Sequence, residues 1–71
     1  MRYVVNDPFL AIRDDPPGQF SLVTLALRQT ITVMGEPQRS GLVDIEYEGG
    51  IVAAFIRDVL THCERVDAQG T

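Results

Sequence analysis

The sequence predicts a small, mostly β domain with one short helical turn near the C-terminus, and two patterns are the basis for this. Between residues 23 and 33 most apolar side chains recur at every second position, with threonines on the other parity. This is the period of a β-strand with one buried face. After Phe55 the period becomes helical. The side chains expected on the inner side of that turn are Phe55, Val59, Leu60 and Cys63.

The other strands follow from short apolar runs and the turn residues between them. Residues 3–5 and 9–12 favour β structure and are separated by Asn-Asp-Pro, in which the proline removes a backbone donor. Residues 13–19 contain two prolines and a glycine and predict a surface loop. Because the alternating run of residues 23–33 is long for a single strand, we expect a break or a sharp bend near residues 28–29.

Residues 43–47 and 51–55 predict a tight hairpin whose register depends on its glycine turn. A three-residue loop at residues 48–50 pairs apolar with apolar side chains, whereas a two-residue turn at Gly49 and Gly50 places Asp44 opposite Phe55. The three-residue loop is therefore predicted, because a one-residue slip mixes the two faces. The resulting core pairs are Tyr47 with Ile51, Ile45 with Ala53, and Val43 with Phe55. A last short strand at residues 64–66 and a frayed tail at residues 67–71 are also expected.

The length of the chain limits how much stability it can draw from a core. Its 71 residues predict one domain over residues 1–71, and a chain of this size buries only roughly 60% of its unfolded surface. The single cysteine excludes an intrachain disulfide, and one cysteine with one histidine is too few for a four-ligand zinc site. No metal or cofactor is predicted, which leaves oligomerisation as a further source of stability.

The charge of the chain and the pattern of its first residues disfavour nucleic acid and membranes as partners. The net charge is −4, there is no lysine, and the six arginines are scattered singly, a pattern that disfavours nucleic acid as a partner. The first apolar run is only three residues long, far too short for a signal-peptide core or a membrane span. The expectation is therefore a cytoplasmic protein that does not associate with membranes.

Residues 31–60, ITVMGEPQRSGLVDIEYEGGIVAAFIRDVL, resemble part of a small SH3-like β-barrel. One strand ends at Gly35, Gly41 opens the next, a glycine turn closes the hairpin, and FIRDVL begins the short helix. The resemblance implies a five-stranded barrel with one helical turn, and it implies no function. The peptide groove of eukaryotic SH3 domains depends on tryptophan, which this chain lacks. The Asp and Asn pair of Sm-like RNA-binding proteins has no counterpart in residues 27–36.

The neighbouring His62 and Cys63 are the first residues to consider for catalysis, because a thiol nucleophile needs a base within reach. Adjacent residues of a helix point about 100° apart, which is poor geometry for such a pair. Cys63 is therefore predicted to be a small core residue and His62 to pair with Asp58 on the helix surface. The acidic residues Asp14 and Asp15 are interpreted as solvated loop carboxylates rather than a cation site.

The leading functional prediction comes from apolar residues on the outward parity of the hairpin and the preceding strand. They would interrupt a face that should be polar, and such patches usually mark an interface. The candidate binding residues are Met34, Leu42, Val52, Ala54 and Ile56. We expect a non-catalytic protein-interaction or homo-oligomeric assembly module, although a terminal segment could instead cover the patch. The alternatives are an enzyme whose site forms only between subunits, using His62, Asp44 or Glu46, and, last, a nucleic-acid-binding module.

Overall fold

A computed structural model describes residues 1–14 and 17–66, which form seven strands and one short helix. All strand pairs are antiparallel and belong to one sheet in the order β3-β2-β6-β5-β4-β1-β7. The elements are β1 (Arg2–Val5), β2 (Phe9–Asp14), β3 (Phe20–Leu25), β4 (Thr30–Met34), β5 (Leu42–Tyr47), β6 (Gly50–Phe55), α1 (Ile56–His62) and β7 (Cys63–Arg65). The prediction of a mostly β domain with one short helix near the C-terminus is confirmed.

The predicted five-stranded barrel is wrong in strand number and in closure. The predicted strand at residues 9–12 and the first half of the alternating run form a hairpin, in which β2 and β3 pair at six positions from Phe9↔Leu25 to Asp14↔Phe20. This hairpin extends the sheet beyond β6 through the pair Ile12↔Ala53. Within the described residues, β3 and β7 are therefore the two ends of an open sheet.

The loop between β2 and β3 is shorter than the predicted residues 13–19. Asp14 still lies in the ladder opposite Phe20, and its carboxylate Oδ1 accepts a hydrogen bond from the Gly18 amide at 2.8 Å. Such a carboxylate–backbone bond stabilises a tight turn. Residues 15–16, and with them one of the two carboxylates considered for a cation, lie outside the described residues, as does the predicted tail at residues 67–71.

The predicted break in the alternating run of residues 23–33 is confirmed. β3 ends at Leu25 and β4 begins at Thr30, and between them Arg28 takes a left-handed φ of 70°. The turn is tied to β1, since the Arg28 amide donates to the Val5 carbonyl at 2.7 Å and the Val5 amide donates to the Gln29 carbonyl at 2.9 Å. The first half of the run begins earlier than expected, at Phe20.

The core is formed by alternate side chains from six strands and by one residue of the helix. Those from β4, β5 and β6 have the period of two that a sheet with one buried face requires. The buried members are Tyr3, Val5, Phe9, Ala11, Leu25, Ile31, Val33, Val43, Ile45, Tyr47, Val52, Ala54 and Val59. Both tyrosines are thus part of the core.

The predicted hairpin register is wrong by one residue. Tyr47 pairs with Gly50, Ile45 with Val52, and Val43 with Ala54, so the loop has two residues, Glu48 and Gly49, both at positive φ (52° and 79°). Positive φ at both central positions is the type I′ turn, which matches the twist of the flanking strands. This shift of one residue exchanges the two faces of β6. Val52 and Ala54 enter the core, while Ile51 and Phe55 are exposed and Ala53 is half-buried.

Replacing Glu48 by asparagine should stabilise the domain. Glutamate at φ 52° lies in a region that costs L-residues roughly 1–2 kcal/mol, whereas Asn-Gly is the preferred type I′ sequence. We expect Glu48→Asn to raise the free energy of unfolding by about 0.5–1 kcal/mol, measured from the urea midpoint. The matched control is Glu46→Asn, at an exposed strand position without positive φ, where no gain is expected. A midpoint below that of the wild type for Glu48→Asn would contradict the turn assignment.

The helix α1 is attached to the core by fewer residues than its sequence predicts. Val59 is fully buried, but Leu60 and Phe55, expected on the same inner side, are exposed. Cys63 is half-buried and packs against the core, as predicted. Cys63 is also the first residue of β7, which pairs with β1. The predicted last short strand is therefore confirmed, and it begins one residue earlier than expected. Among the described residues no helix has the length and apolarity needed to cross a membrane.

Candidate functional site

The five residues predicted to form an outward apolar patch do not lie on one surface. Met34 is exposed and Leu42 and Ile56 are partly buried, but Val52 and Ala54 are each only 2% exposed. The one-residue error in register is the reason, because it exchanges the two faces of β6. Val52 and Ala54 are therefore core residues, and their predicted exposure is corrected.

A different apolar surface lies on the outer face of the same sheet. A row of opposed residues crosses five strands through the pairs Leu22↔Ile12, Ile12↔Ala53, Ala53↔Asp44 and Asp44↔Met34. Paired residues of an antiparallel sheet point to the same side, so this row defines one face. We call its apolar part on β2, β3, β5 and β6 the outer apolar face. Its members are Leu10, Ile12, Phe20, Leu22, Leu42, Ile51, Ala53 and Phe55.

The outer apolar face is most exposed on β3, at the end of the sheet. Phe20 is 72% exposed and Leu22 is 69% exposed, although both belong to a regular strand. The face also contains a groove of about 530 Å³ between β3 and β5, with Asp14 and Asp44 among its lining residues. An adjoining groove of about 200 Å³ reaches Phe55 and Asp58. The described residues that line the two grooves are thus mainly apolar, and those that carry a charge are acidic.

The two ends of the sheet differ in their chemistry. β7 has three residues, two of them charged, Glu64 and Arg65, and a short, charged strand is a common protection against pairing with other chains. β3 has six residues, Phe-Ser-Leu-Val-Thr-Leu, with no charge. A long, uncharged, apolar edge strand exposes main-chain donors and acceptors to any extended partner.

His62 joins the end of α1 to the turn between β1 and β2. Its carbonyl accepts hydrogen bonds from the amides of Asn6 (2.8 Å) and Asp7 (3.1 Å). Its ring nitrogen Nδ1 lies 3.0 Å from Oδ2 of Asp7, and the ring stacks on Phe9 with centroids 5.4 Å apart. The predicted pairing of His62 with Asp58 is therefore replaced by contacts with the β1–β2 turn. These contacts give His62 a structural role.

Replacing His62 by alanine should destabilise the domain. The variant loses an aromatic stack and a side-chain hydrogen bond, together worth about 1–2 kcal/mol. We expect that decrease in the free energy of unfolding by chemical denaturation, and a smaller decrease for His62→Gln, which keeps hydrogen-bonding capacity. Thr61→Ala, at an exposed neighbouring helix position, is the control. If His62→Ala were as stable as Thr61→Ala, the stack and the bond to Asp7 would contribute nothing.

The thiol of Cys63 is poorly suited to nucleophilic catalysis. Burial raises its pKa to about 11, so it is protonated at neutral pH, whereas the reactive form of cysteine is the thiolate. Its neighbour His62 contacts Asp7 and Phe9. Cys63 thus packs against the core, and His62 makes a structural contact with the β1–β2 turn. Their adjacency in sequence does not reflect a catalytic pair.

Cys63 should accordingly react slowly with thiol reagents. A pKa of about 11 leaves so little thiolate at pH 8 that alkylation should be roughly a hundredfold slower than for an unperturbed cysteine. The rate should rise as pH approaches the pKa, since deprotonation produces the nucleophile. Iodoacetamide labelling followed by mass spectrometry, with the guanidinium-unfolded chain as reference, measures the ratio. Equal folded and unfolded rates at pH 8 would contradict the burial of the thiol.

The acidic residues do not assemble into a site in the part of the chain that the structure describes. No group of three or more His, Cys, Asp or Glu side chains there could hold a metal ion. Asp44 and Glu46 are exposed on β5, and Asp14 bonds to its own loop. The residues considered for an intersubunit enzyme lie on different elements. Asp44 and Glu46 are on β5, whereas His62 is at the end of α1 and contacts the β1–β2 turn.

Comparison of the chain with protein-family models, with curated proteins and with solved structures gives no match. A function for the domain therefore has to be argued from its own surface. The residues that dominate that surface, Phe20 and Leu22, were missed at the sequence level. Their signal was present, since they alternate on the parity opposite to Val23 and Leu25.

Proposed function

We propose that this domain is a non-catalytic protein-interaction module that binds through the outer apolar face. The observation that carries the proposal is the continuity of apolar side chains on one face. Phe20 and Leu22 on β3, Leu10 on β2 and Phe55 on β6 are exposed, and the partly buried Ile12 of β2 lies between them. Scattered apolar residues are normal on soluble proteins, but a contiguous apolar surface usually serves as an interface.

The charges around this face favour protein over nucleic acid as its partner. Among the described residues lining the two grooves, the charged ones are Asp14, Asp44 and Asp58. Carboxylates repel a phosphate backbone, whose binding depends on Lys and Arg. The lone cysteine supports the further proposal that the protein functions in the cytoplasm.

The SH3-like relationship is also kept as a proposal. The order of strand, hairpin, strand, turn, tight hairpin, short helix and last strand supports it. The strands on either side of the predicted loop pair with each other as a hairpin, and the break near Arg28 separates β3 from β4. Since many unrelated functions occur on such folds, the interaction proposal does not depend on this relationship.

Site-specific photo-crosslinking in intact cells tests the interaction proposal. A benzophenone amino acid is introduced in place of Leu10, on the outer apolar face, or in place of Leu60, which is similarly exposed on α1. We expect a discrete protein adduct, either a second copy or one other protein, from position 10 alone. Absence of any adduct from position 10, or the same adducts from both positions, would contradict the proposal.

A further inference from the structure

We propose that the outer apolar face binds a second copy of this chain, through antiparallel pairing of β3 with β3 across a two-fold axis perpendicular to the sheet. This inference rests on the proposed function and specifies its partner. It makes the domain a homodimer in which two seven-stranded sheets join at their apolar edges.

The main chain of β3 determines what kind of partner can bind. β3 is hydrogen-bonded to β2 on one side, and on the other side no strand from residues 1–14 or 17–66 pairs with it. Alternate residues of an edge strand direct their N–H and C=O groups outward, and an extended strand satisfies them best. A second copy supplies such a strand. It is equally uncharged and carries the same exposed Phe20 and Leu22.

The symmetry restricts the register to a few possibilities. A two-fold axis perpendicular to the sheet keeps each face on its own side, so opposed residues must share a parity and their numbers must sum to an even value. The longest overlap of β3 (Phe20–Leu25) that obeys this rule has five residues. The one that includes Phe20 places Leu22 opposite Leu22, Phe20 opposite Thr24, and Ser21 opposite Val23.

In this register the apolar side chains meet and the charges stay apart. Leu22 packs on its symmetry mate, and Phe20 reaches the other Leu22 on the diagonal, within range of an aromatic side chain. Strand spacing puts the two Asp14 carboxylates roughly 20 Å apart, beyond the screening length of about 8 Å in physiological salt. The net charge of −4 on each copy therefore causes little repulsion at the interface itself.

The expected size of the interface predicts a dimer that dissociates on dilution. Two large side chains, Phe20 and Leu22, and five paired residues from each copy bury roughly 1,000 Å² in total, at the lower limit for a specific interface. Interfaces of this size are typical of weak or transient association, and we expect a dissociation constant of about 1–100 µM. The dimer should therefore be populated at high protein concentration and lost at low concentration.

Light scattering coupled to size-exclusion chromatography, over a dilution series of the full chain, measures this equilibrium. We expect a shift from dimer to monomer for the wild type. Leu22→Arg should weaken dimerisation at least about tenfold, because two arginines would face each other at the axis. Leu60→Arg introduces the same charge on α1, away from β3, and should leave the dimer unchanged. Both positions are exposed, so folding is not at risk.

Disulfide trapping tests the register, in a background that carries Cys63→Ser. Leu22→Cys should form a disulfide-linked dimer on mild oxidation, because residues directly opposite have Cα atoms about 4.5–5.5 Å apart, within disulfide range. Leu10→Cys is the matched control on the same face. In the proposed dimer its two copies lie roughly 20 Å apart, too far to be linked.

The outcomes separate this inference from the proposed function. A chain that stays monomeric at all concentrations, or a dimer unaffected by Leu22→Arg, overturns the β3 pairing. If position 10 then crosslinks to a different protein in cells, the interaction proposal stands without the homodimer. If neither dimer nor adduct forms, both fall. A Leu10→Cys disulfide equal to that of Leu22→Cys would likewise overturn the register.

Discussion

Val52→Asp is expected to unfold the domain, whereas Ile51→Asp leaves it folded. Val52 is 2% exposed and faces Ile45 across the β5–β6 ladder, while Ile51 is 51% exposed on the opposite face. An unpaired carboxylate in the core costs several kcal/mol, and a chain of this length has a total stability of about 4–10 kcal/mol. Circular dichroism and the urea midpoint of both variants measure the difference.

The same pair of variants distinguishes the observed two-residue loop at Glu48 and Gly49 from the predicted three-residue loop at residues 48–50. With the three-residue loop, Ile51 would lie in the core and Val52 outside, so the effects would be reversed. A folded Val52→Asp together with an unfolded Ile51→Asp would therefore contradict the type I′ turn at Glu48 and Gly49.

Leu25→Ala should cost about 2–5 kcal/mol of stability, whereas Leu27→Ala should change it by less than about 0.5 kcal/mol. The two leucines share a parity, and the alternating pattern treats them as equivalent. In the structure Leu25 is 0% exposed opposite Phe9, but Leu27 is 51% exposed, because the strand has ended before it. Urea denaturation of both variants gives the two free energies. Equal losses would show that one continuous strand runs through residues 25–29, against the turn at Arg28.

The order of elements could be predicted because it depends on local chemistry. Alternation of apolar and polar residues identified β5, the break near Arg28 followed from the length limit of a strand, and the change of period after Phe55 located α1. Each of these signals depends on neighbours along the chain, and each corresponds to an observed element.

The register of β6 could not be predicted because the strand is apolar on both faces. Residues 51–55 read Ile-Val-Ala-Ala-Phe, so hydrophobicity does not select which parity enters the core. Two adjacent glycines also permit either loop length. The turn geometry decides, with Glu48 taking a left-handed conformation that favours glycine or asparagine.

The outer apolar face was missed for a different reason. It exists only because β2 of the first hairpin pairs with β6 of the second, at Ile12 and Ala53, residues that are far apart in sequence. Four consecutive apolar residues at positions 9–12 indicate that both faces of β2 are apolar. They do not indicate what lies beside it. The surface patch predicted on the hairpin alone could not include β3.

Hydrogen–deuterium exchange of the wild-type chain at several concentrations tests most directly whether β3 is the docking edge. The comparison is internal, since β3 and β7 are the two ends of the same described sheet. We expect exchange of the amides in residues 20–25 to slow as the protein concentration rises, while exchange in residues 63–65 stays constant. Exchange in β3 that is independent of concentration, or that slows equally in β7, would contradict the account.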